Sequence, residues 1–155
     1  MGSFDGWLTS LEVLYAGDLG LPHLRWLEGA GARVTKARDA EQARSATGEG
    51  ARALDIAVLD ADWKEIGWVS LAREMPRSCA VIALSSRADP SLLQTVSALR
   101  ADFVSKSATE ADFVFKLRGI MRPSLGSMGR LAAHATKLWE LPPQLARLLH
   151  FNLWS

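Results

Sequence analysis

The sequence predicts an α/β chain: a doubly wound, five-stranded parallel sheet with helices on both faces, followed by a C-terminal helical arm. Five short apolar runs recur along the first two thirds of the 155 residues, spaced by about one strand–helix unit each. Two of them, Ile56-Ala-Val-Leu59 and Ala80-Val-Ile-Ala-Leu84, are apolar on both alternating faces, as in strands covered by helices on both sides. The stretches between the runs carry helix starts, helix stops and apolar residues at helical spacing.

The expected strands are Leu11–Ala16, Arg33–Lys36, Asp55–Asp60, Ala80–Ser85 and Asp102–Lys106. The first helix opens with Pro22 at a first helical position, places Leu24 and Leu27 on one face, and stops at Gly29 and Gly31. Asp39 is the expected cap of a second helix that runs through Ala46 and ends at Gly48 and Gly50. The third spans about Glu65–Glu74 and is stopped by Pro76; the fourth, Pro90–Arg100, lines up Leu92, Leu93, Val96 and Leu99. Thr109-Glu-Ala-Asp112 has the pattern of a helix-start box for the fifth, with Phe113, Leu117 and Ile120 on its apolar side.

Beyond Ile120 the character changes, and the chain divides into a domain over 8–121 and a helical extension over 122–155. Pro123, Gly126 and Gly129 form a connection; Leu131, Ala135, Leu138 and Trp139 follow at helical spacing, then Pro142-Pro143 and a second apolar helix through Leu149. Residues 121–155 carry four basic and one acidic side chain, net +3, which leaves −2 on residues 1–120. So small an excess suits a solvated face as well as a nucleic-acid contact.

Composition excludes several classes. With 18 Lys+Arg against 17 Asp+Glu and 48% apolar residues, the chain is an ordinary folded protein. Its longest unbroken apolar run is the six residues Cys79–Leu84, far short of the about 20 a spanning helix needs, so no membrane segment is expected. The single cysteine, Cys79, allows no intrachain disulfide and suits a buried thiol in a reducing, cytoplasmic setting. His23, His134 and His150 are scattered without zinc-ligand spacing and read as solvent-facing or capping residues. No Gly-rich phosphate loop and no nucleophile elbow is present, which speaks against an enzyme.

In a doubly wound sheet ligands bind outside the carboxyl ends of the strands, so polar residues ending apolar strands are the first candidates. The third strand ends at Asp60, the fourth at Ser85 and Ser86, the fifth at Lys106. A carboxylate, a hydroxyl and an ammonium on one edge suit phosphoryl transfer to the carboxylate: the acid attacks phosphorus, the hydroxyl bonds a phosphoryl oxygen, and the ammonium balances charge. Asp55-Ile-Ala-Val-Leu-Asp60, Val81-Ile-Ala-Leu-Ser-Ser-Arg-Ala-Asp89 and Ala101-Asp-Phe-Val-Ser-Lys106 resemble the third to fifth strands of two-component response-regulator receiver domains, whose fold is flavodoxin-like (CheY-like). The resemblance covers roughly residues 10–120. It implies that Asp60 takes the phosphoacceptor position, Ser85 that of the switch hydroxyl, Lys106 that of the active-site lysine and Phe103 that of the switch aromatic.

The departures from the family pattern matter as much. Receivers end their first strand on a pair of acids that hold Mg²⁺ together with the phosphoacceptor. Here the stretch reads Val13-Leu-Tyr-Ala16-Gly17-Asp18, so the candidate ligands reduce to Asp18, Asp60 and Asp62, a weak or absent metal site. Lys64 stands where the family has proline, in a loop one residue short, and Ser107 follows Lys106 where proline is common. An ammonium at Lys64 folded over Asp60 would substitute for the metal charge. Trp63, one of six tryptophans, either caps the pocket or packs on the third helix.

The segment Leu141-Pro-Pro-Gln-Leu-Ala-Arg-Leu-Leu-His150 resembles the opening helix of the helix-turn-helix module of LuxR-type transcription factors, without a recognition helix after it. DNA would then be reached only through a module missing from this sequence. The leading reading is an atypical receiver of a signalling or transcription regulator, without a required cofactor, acting through other signalling proteins and homodimer formation. By resemblance, its contact face is the fourth helix, fifth strand and fifth helix. A conventional receiver phosphorylated at Asp60 by a histidine kinase, with Asp18 and Asp60 holding Mg²⁺, and a flavodoxin-like domain binding a small ligand stay open beside it.

Overall fold

The computed structural model describes residues 4–47 and 53–121. The chain separates into two units, Met1–Arg118 and Gly119–Ser155. The first is described here; the proposed extension over 122–155, with Trp139 and the Leu141–His150 segment, lies outside the described residues.

The elements are β1 (Glu12–Ala16), α1 (Pro22–Gly29), β2 (Arg33–Ala37), α2 (Ala40–Thr47), β3 (Ile56–Asp60), a 3-10 turn (Lys64–Ile66), α3 (Trp68–Glu74), β4 (Ala80–Ser85), α4 (Pro90–Ala98), β5 (Asp102–Ser105) and α5 (Glu110–Met121). All pairings are parallel and the strand order is β2-β1-β3-β4-β5. The five strands and five helices expected over residues 8–121 form, and caps explain where three of the helices start. Asp39 Oδ1 accepts from the Gln42 N–H at 2.9 Å, Asp89 Oδ1 from Leu92 N–H at 2.8 Å, and Thr109 Oγ1 from Asp112 N–H at 3.1 Å.

Several boundaries shift by one or two residues, and the largest shift is at the third helix. The third helix starts at Trp68 and not at Glu65, because Gly67 sits at φ +53° and donates its N–H to the Lys64 carbonyl at 3.2 Å, closing a separate 3-10 turn.

The sheet is buried on both sides, as its apolar runs require. Leu14, Ala16, Ala57, Leu59 and Ala83 pack with Ala43 of α2, Leu71 of α3 and Val96 of α4. The residues out of phase with them, Val13, Tyr15, Ile56, Val58, Ile82 and Leu84, are equally buried on the opposite face. There His23 of α1 and Phe113 of α5 meet edge to face at 5.1 Å, so α1 and α5 share that layer. The edge strand β2 exposes Arg33, Thr35 and Lys36, two charged and one polar side chain that suit an unpaired edge.

This winding follows from right-handed crossovers. β1 is followed by β2 on one side and flanked by β3 on the other, so the connections leave the sheet in opposite directions there. A crevice opens at the carboxyl ends of β1 and β3. Gly17, Asp18 and Asp60 lie on it, and the ends of β4 and β5 bring Ser85 and Lys106 alongside.

Candidate functional site

Asp60 ends β3 with its side chain fully buried, and every polar contact it makes is to this site. The Lys106 ammonium lies 2.8 Å from Oδ1, which also accepts the Asp62 N–H at 3.0 Å. Oδ2 accepts the Asp18 N–H at 3.2 Å. A buried carboxylate needs this degree of partnership, since an isolated ion in the interior is several kcal/mol unfavourable.

Gly17 completes the enclosure. Its φ is +145°, and a Cβ placed there would lie 2.1 Å from the Asp60 Cβ and 3.0 Å from Oδ2. Only glycine fits, so the residue that removes a metal ligand from the sequence also gives the β1–α1 backbone its approach to Asp60.

Asp62 forms a second centre. Ser85 Oγ donates to its Oδ1 at 2.7 Å; Ser86 N–H and Ser86 Oγ donate to Oδ2 at 2.8 Å each, and Lys106 Nζ lies 3.1 Å from Oδ2. Burial alone would raise the Asp62 pKa. The Ser86 N–H, the Ser85 and Ser86 hydroxyls and the Lys106 ammonium outweigh it and hold the carboxyl well below the usual carboxylate range. Burial likewise works to lower the Lys106 pKa, but its hydrogen bonds to Asp60 and Asp62 leave it above the ordinary lysine value. Lys106 therefore bridges two carboxylates, and is itself fixed by its backbone N–H donating to the Ser85 carbonyl at 2.9 Å.

Asp60, Ser85 and Lys106 thus converge as the sequence suggests, joined by Asp62 and Ser86. Other expectations are corrected. Lys64 is exposed on the 3-10 turn, which buries Ile66 instead, and it forms no ion pair among the described residues; the cation at Asp60 is Lys106. The Asp18 carboxylate turns away from Asp60 to accept the Gly20 N–H at 2.8 Å, and only its backbone reaches the phosphoacceptor position. The Asp62 carboxylate meets that of Asp60 only across the Lys106 ammonium, which takes the point between them. No group of three His, Cys, Asp or Glu side chains among the described residues is placed to hold a metal ion.

Phe103 is half-buried on β5 opposite Ala83 and packs on the α2–α4 side of the core. Trp63 packs on that core, and with Gly17, Asp18, Leu19, Gly20 and Arg38 it lines a small cleft. Its indole N–H donates to the Arg38 carbonyl at 2.7 Å. Tyr15, fully buried behind the crevice, donates its hydroxyl to the Asp18 carbonyl at 2.7 Å; burial first, then Asp60 and Asp18, push its pKa up.

His23 overturns the surface reading. It is fully buried, its ring packs at 4.7 Å on Trp26 as well as on Phe113, and neither ring nitrogen has a hydrogen-bond partner among the described residues. Burial and then Lys106 lower its pKa. Cys79 is buried as expected, and burial and Asp55 push its thiol up to about 12.

Neither a family model nor a curated protein matches this sequence. Solved structures do match it. A response regulator from Thermotoga maritima aligns at 21% identity with a TM-score of 0.63, over 75% of this chain and 100% of that one. A CheY-like response regulator receiver domain protein from Methanospirillum hungatei aligns at 16% identity and 0.62, over 70% and 91%. The chemotaxis response regulator CheY4 of Vibrio cholerae aligns at 16% and 0.62, over 72% and 99%. With the β2-β1-β3-β4-β5 order and the Asp60, Ser85 and Lys106 cluster at the sheet's carboxyl edge, these likenesses establish that the chain has the fold of the response-regulator receiver domains.

Proposed function

We propose that the domain works as an atypical receiver of a signalling or transcription regulator in the cytoplasm, through protein–protein contact and self-association, without catalysis and without phosphorylation at Asp60. The observation that carries this is the pairing of Asp60 Oδ1 with Lys106 Nζ at 2.8 Å, an ammonium that Asp62 Oδ2 shares at 3.1 Å, while the Asp18 carboxylate accepts the Gly20 N–H. A carboxylate approaches an anionic phosphoryl group when a divalent cation offsets the repulsion. Ala16 and Gly17 supply no ligand, and Asp18 and Asp62 spend their carboxylates elsewhere.

The surface supports a contact role. Among the described residues, Leu93 of α4 and Phe115 of α5 are the large apolar side chains that stand clear of the fold, at 42% and 68% exposure. They lie on the helices that flank β5, the face expected for a homodimer or a partner protein. DNA contact would require a further module beyond the receiver fold. No described helix is long and apolar enough to cross a membrane.

Intact-mass measurement of the chain and of Asp60→Asn with acetyl phosphate, with and without Mg²⁺, tests the reading. The expected result is no phosphoryl adduct on either protein. A Mg²⁺-dependent adduct lost in Asp60→Asn establishes a conventional phospho-accepting receiver instead. Inertness to acetyl phosphate together with a nucleotide-induced thermal shift points to a ligand-binding domain.

A further inference from the structure

We infer that the anion pocket at the carboxyl edge of the sheet is filled by the chain's own Asp62 carboxylate, which takes the hydrogen bonds that a bound phosphate or other small oxyanion would take. The inference rests on the reading that Asp60 is not phosphorylated, and it names what occupies the site instead.

Four donors converge on this one group. Ser85 Oγ and Ser86 N–H and Oγ come from the end of β4, and Lys106 Nζ from the end of β5, all at 2.7 to 3.1 Å. They reach Asp62 across more than twenty positions of sequence, so the β3–α3 loop does not make these bonds by local turn chemistry. A hydroxyl, a backbone N–H and an ammonium aimed at one point are the parts of an oxyanion site. Two of them, Ser85 and Lys106, are the residues that the receiver resemblance assigns to phosphoryl oxygens.

Charge closes the site to outsiders. Asp60 and Asp62 together outweigh the single ammonium of Lys106, so a further anion entering beside Asp62 meets net negative charge. The Asp62 side chain is 30% exposed, so its removal opens the donors to solvent.

The filled pocket also fixes what lies downstream. Ser85 Oγ, while donating to Asp62, accepts the Arg87 N–H at 3.0 Å, and Asp89 two residues on caps α4. Asp62 is thereby tied through Ser85 to the start of the β4–α4 loop with no external ligand.

The test is a titration of inorganic phosphate, and separately of acetate, into the chain, Asp62→Ala and Asp62→Asn, without Mg²⁺ or phosphodonor, read by tryptophan fluorescence and thermal melting. The unaltered chain is expected to show no saturable response. Both variants are expected to bind phosphate at least about tenfold more tightly than the unaltered chain, and acetate should raise the melting temperature of Asp62→Ala. Adding Ser85→Ala should abolish both effects. Variants that keep their far-UV circular dichroism and bind neither anion overturn the inference. So do unfolded variants that neither anion restores, and so does an unaltered chain that binds phosphate as well as they do. An Asp60 adduct in the mass experiment sinks the functional reading alone, whereas this titration reports on the pocket by itself.

Discussion

The Cβ that Gly17 lacks would lie 2.1 Å from the Cβ of Asp60, so the β1–α1 loop and the end of β3 are in contact through the absence of a side chain. The relation explains why a position that supplies a metal-binding acid in receivers is here glycine. The backbone after β1 lies where a side chain would stand, and it donates the Asp18 N–H to Asp60.

Gly17→Ala is therefore expected to lower stability by at least about 2 kcal/mol, from overpacking together with a φ of +145° that L-residues rarely adopt. Urea unfolding checks this. A loss below about 0.5 kcal/mol would mean that the loop retreats freely and that Asp60 is not enclosed as described.

Lys106→Met leaves the fully buried Asp60 carboxylate without its cation, and an expected loss of about 3 kcal/mol follows. Asp60→Asn in the same background should recover a large part of that loss, since the uncompensated charge is then gone. Additive effects of the two substitutions in a double-mutant cycle would contradict the pairing.

His23 makes stability depend on pH in the mildly acidic range. Its folded-state pKa is lowered, so below the ordinary histidine pKa of about 6.5 the unfolded chain takes up a proton that the folded chain refuses, and stability falls as pH falls. His23→Leu removes two unpartnered buried nitrogens from beside Trp26 and Phe113. It is expected to gain about 1 kcal/mol at pH 7 and to flatten the loss between about pH 6.5 and 5. Denaturation at the two pH values decides; an unchanged slope would assign the acid sensitivity elsewhere.

Much of the architecture was legible because the signals are local. Ile56–Leu59 and Ala80–Leu84 announce buried parallel strands by being apolar on both faces, and Asp39 and Thr109 mark helix starts by an oxygen within reach of an N–H three residues on. The start of α3 was misplaced because Lys64, Glu65 and Ile66 suit a helix by type, while Gly67 in a left-handed conformation separates them from it. The polarity of His23 suits a surface residue, whereas its burial arises only when α1 and α5 come together over it.

By itself, the order of residues along this chain determined the α/β class, the parallel winding and the delivery of Asp60, Ser85 and Lys106 to one edge of the sheet, since each depends on periodicity and on where apolar runs end. Tertiary structure alone decided how those groups are spent. Lys106 and not Lys64 became the partner of Asp60, and Asp62 turned from candidate metal ligand to acceptor for Ser85 and Ser86. These outcomes turn on distances of about 3 Å between residues far apart in sequence, where the alternatives differ by one rotamer or one turn of loop. No local pattern carries that information; it arises when β3, β4 and β5 come into register and the charges at their ends must neutralise one another.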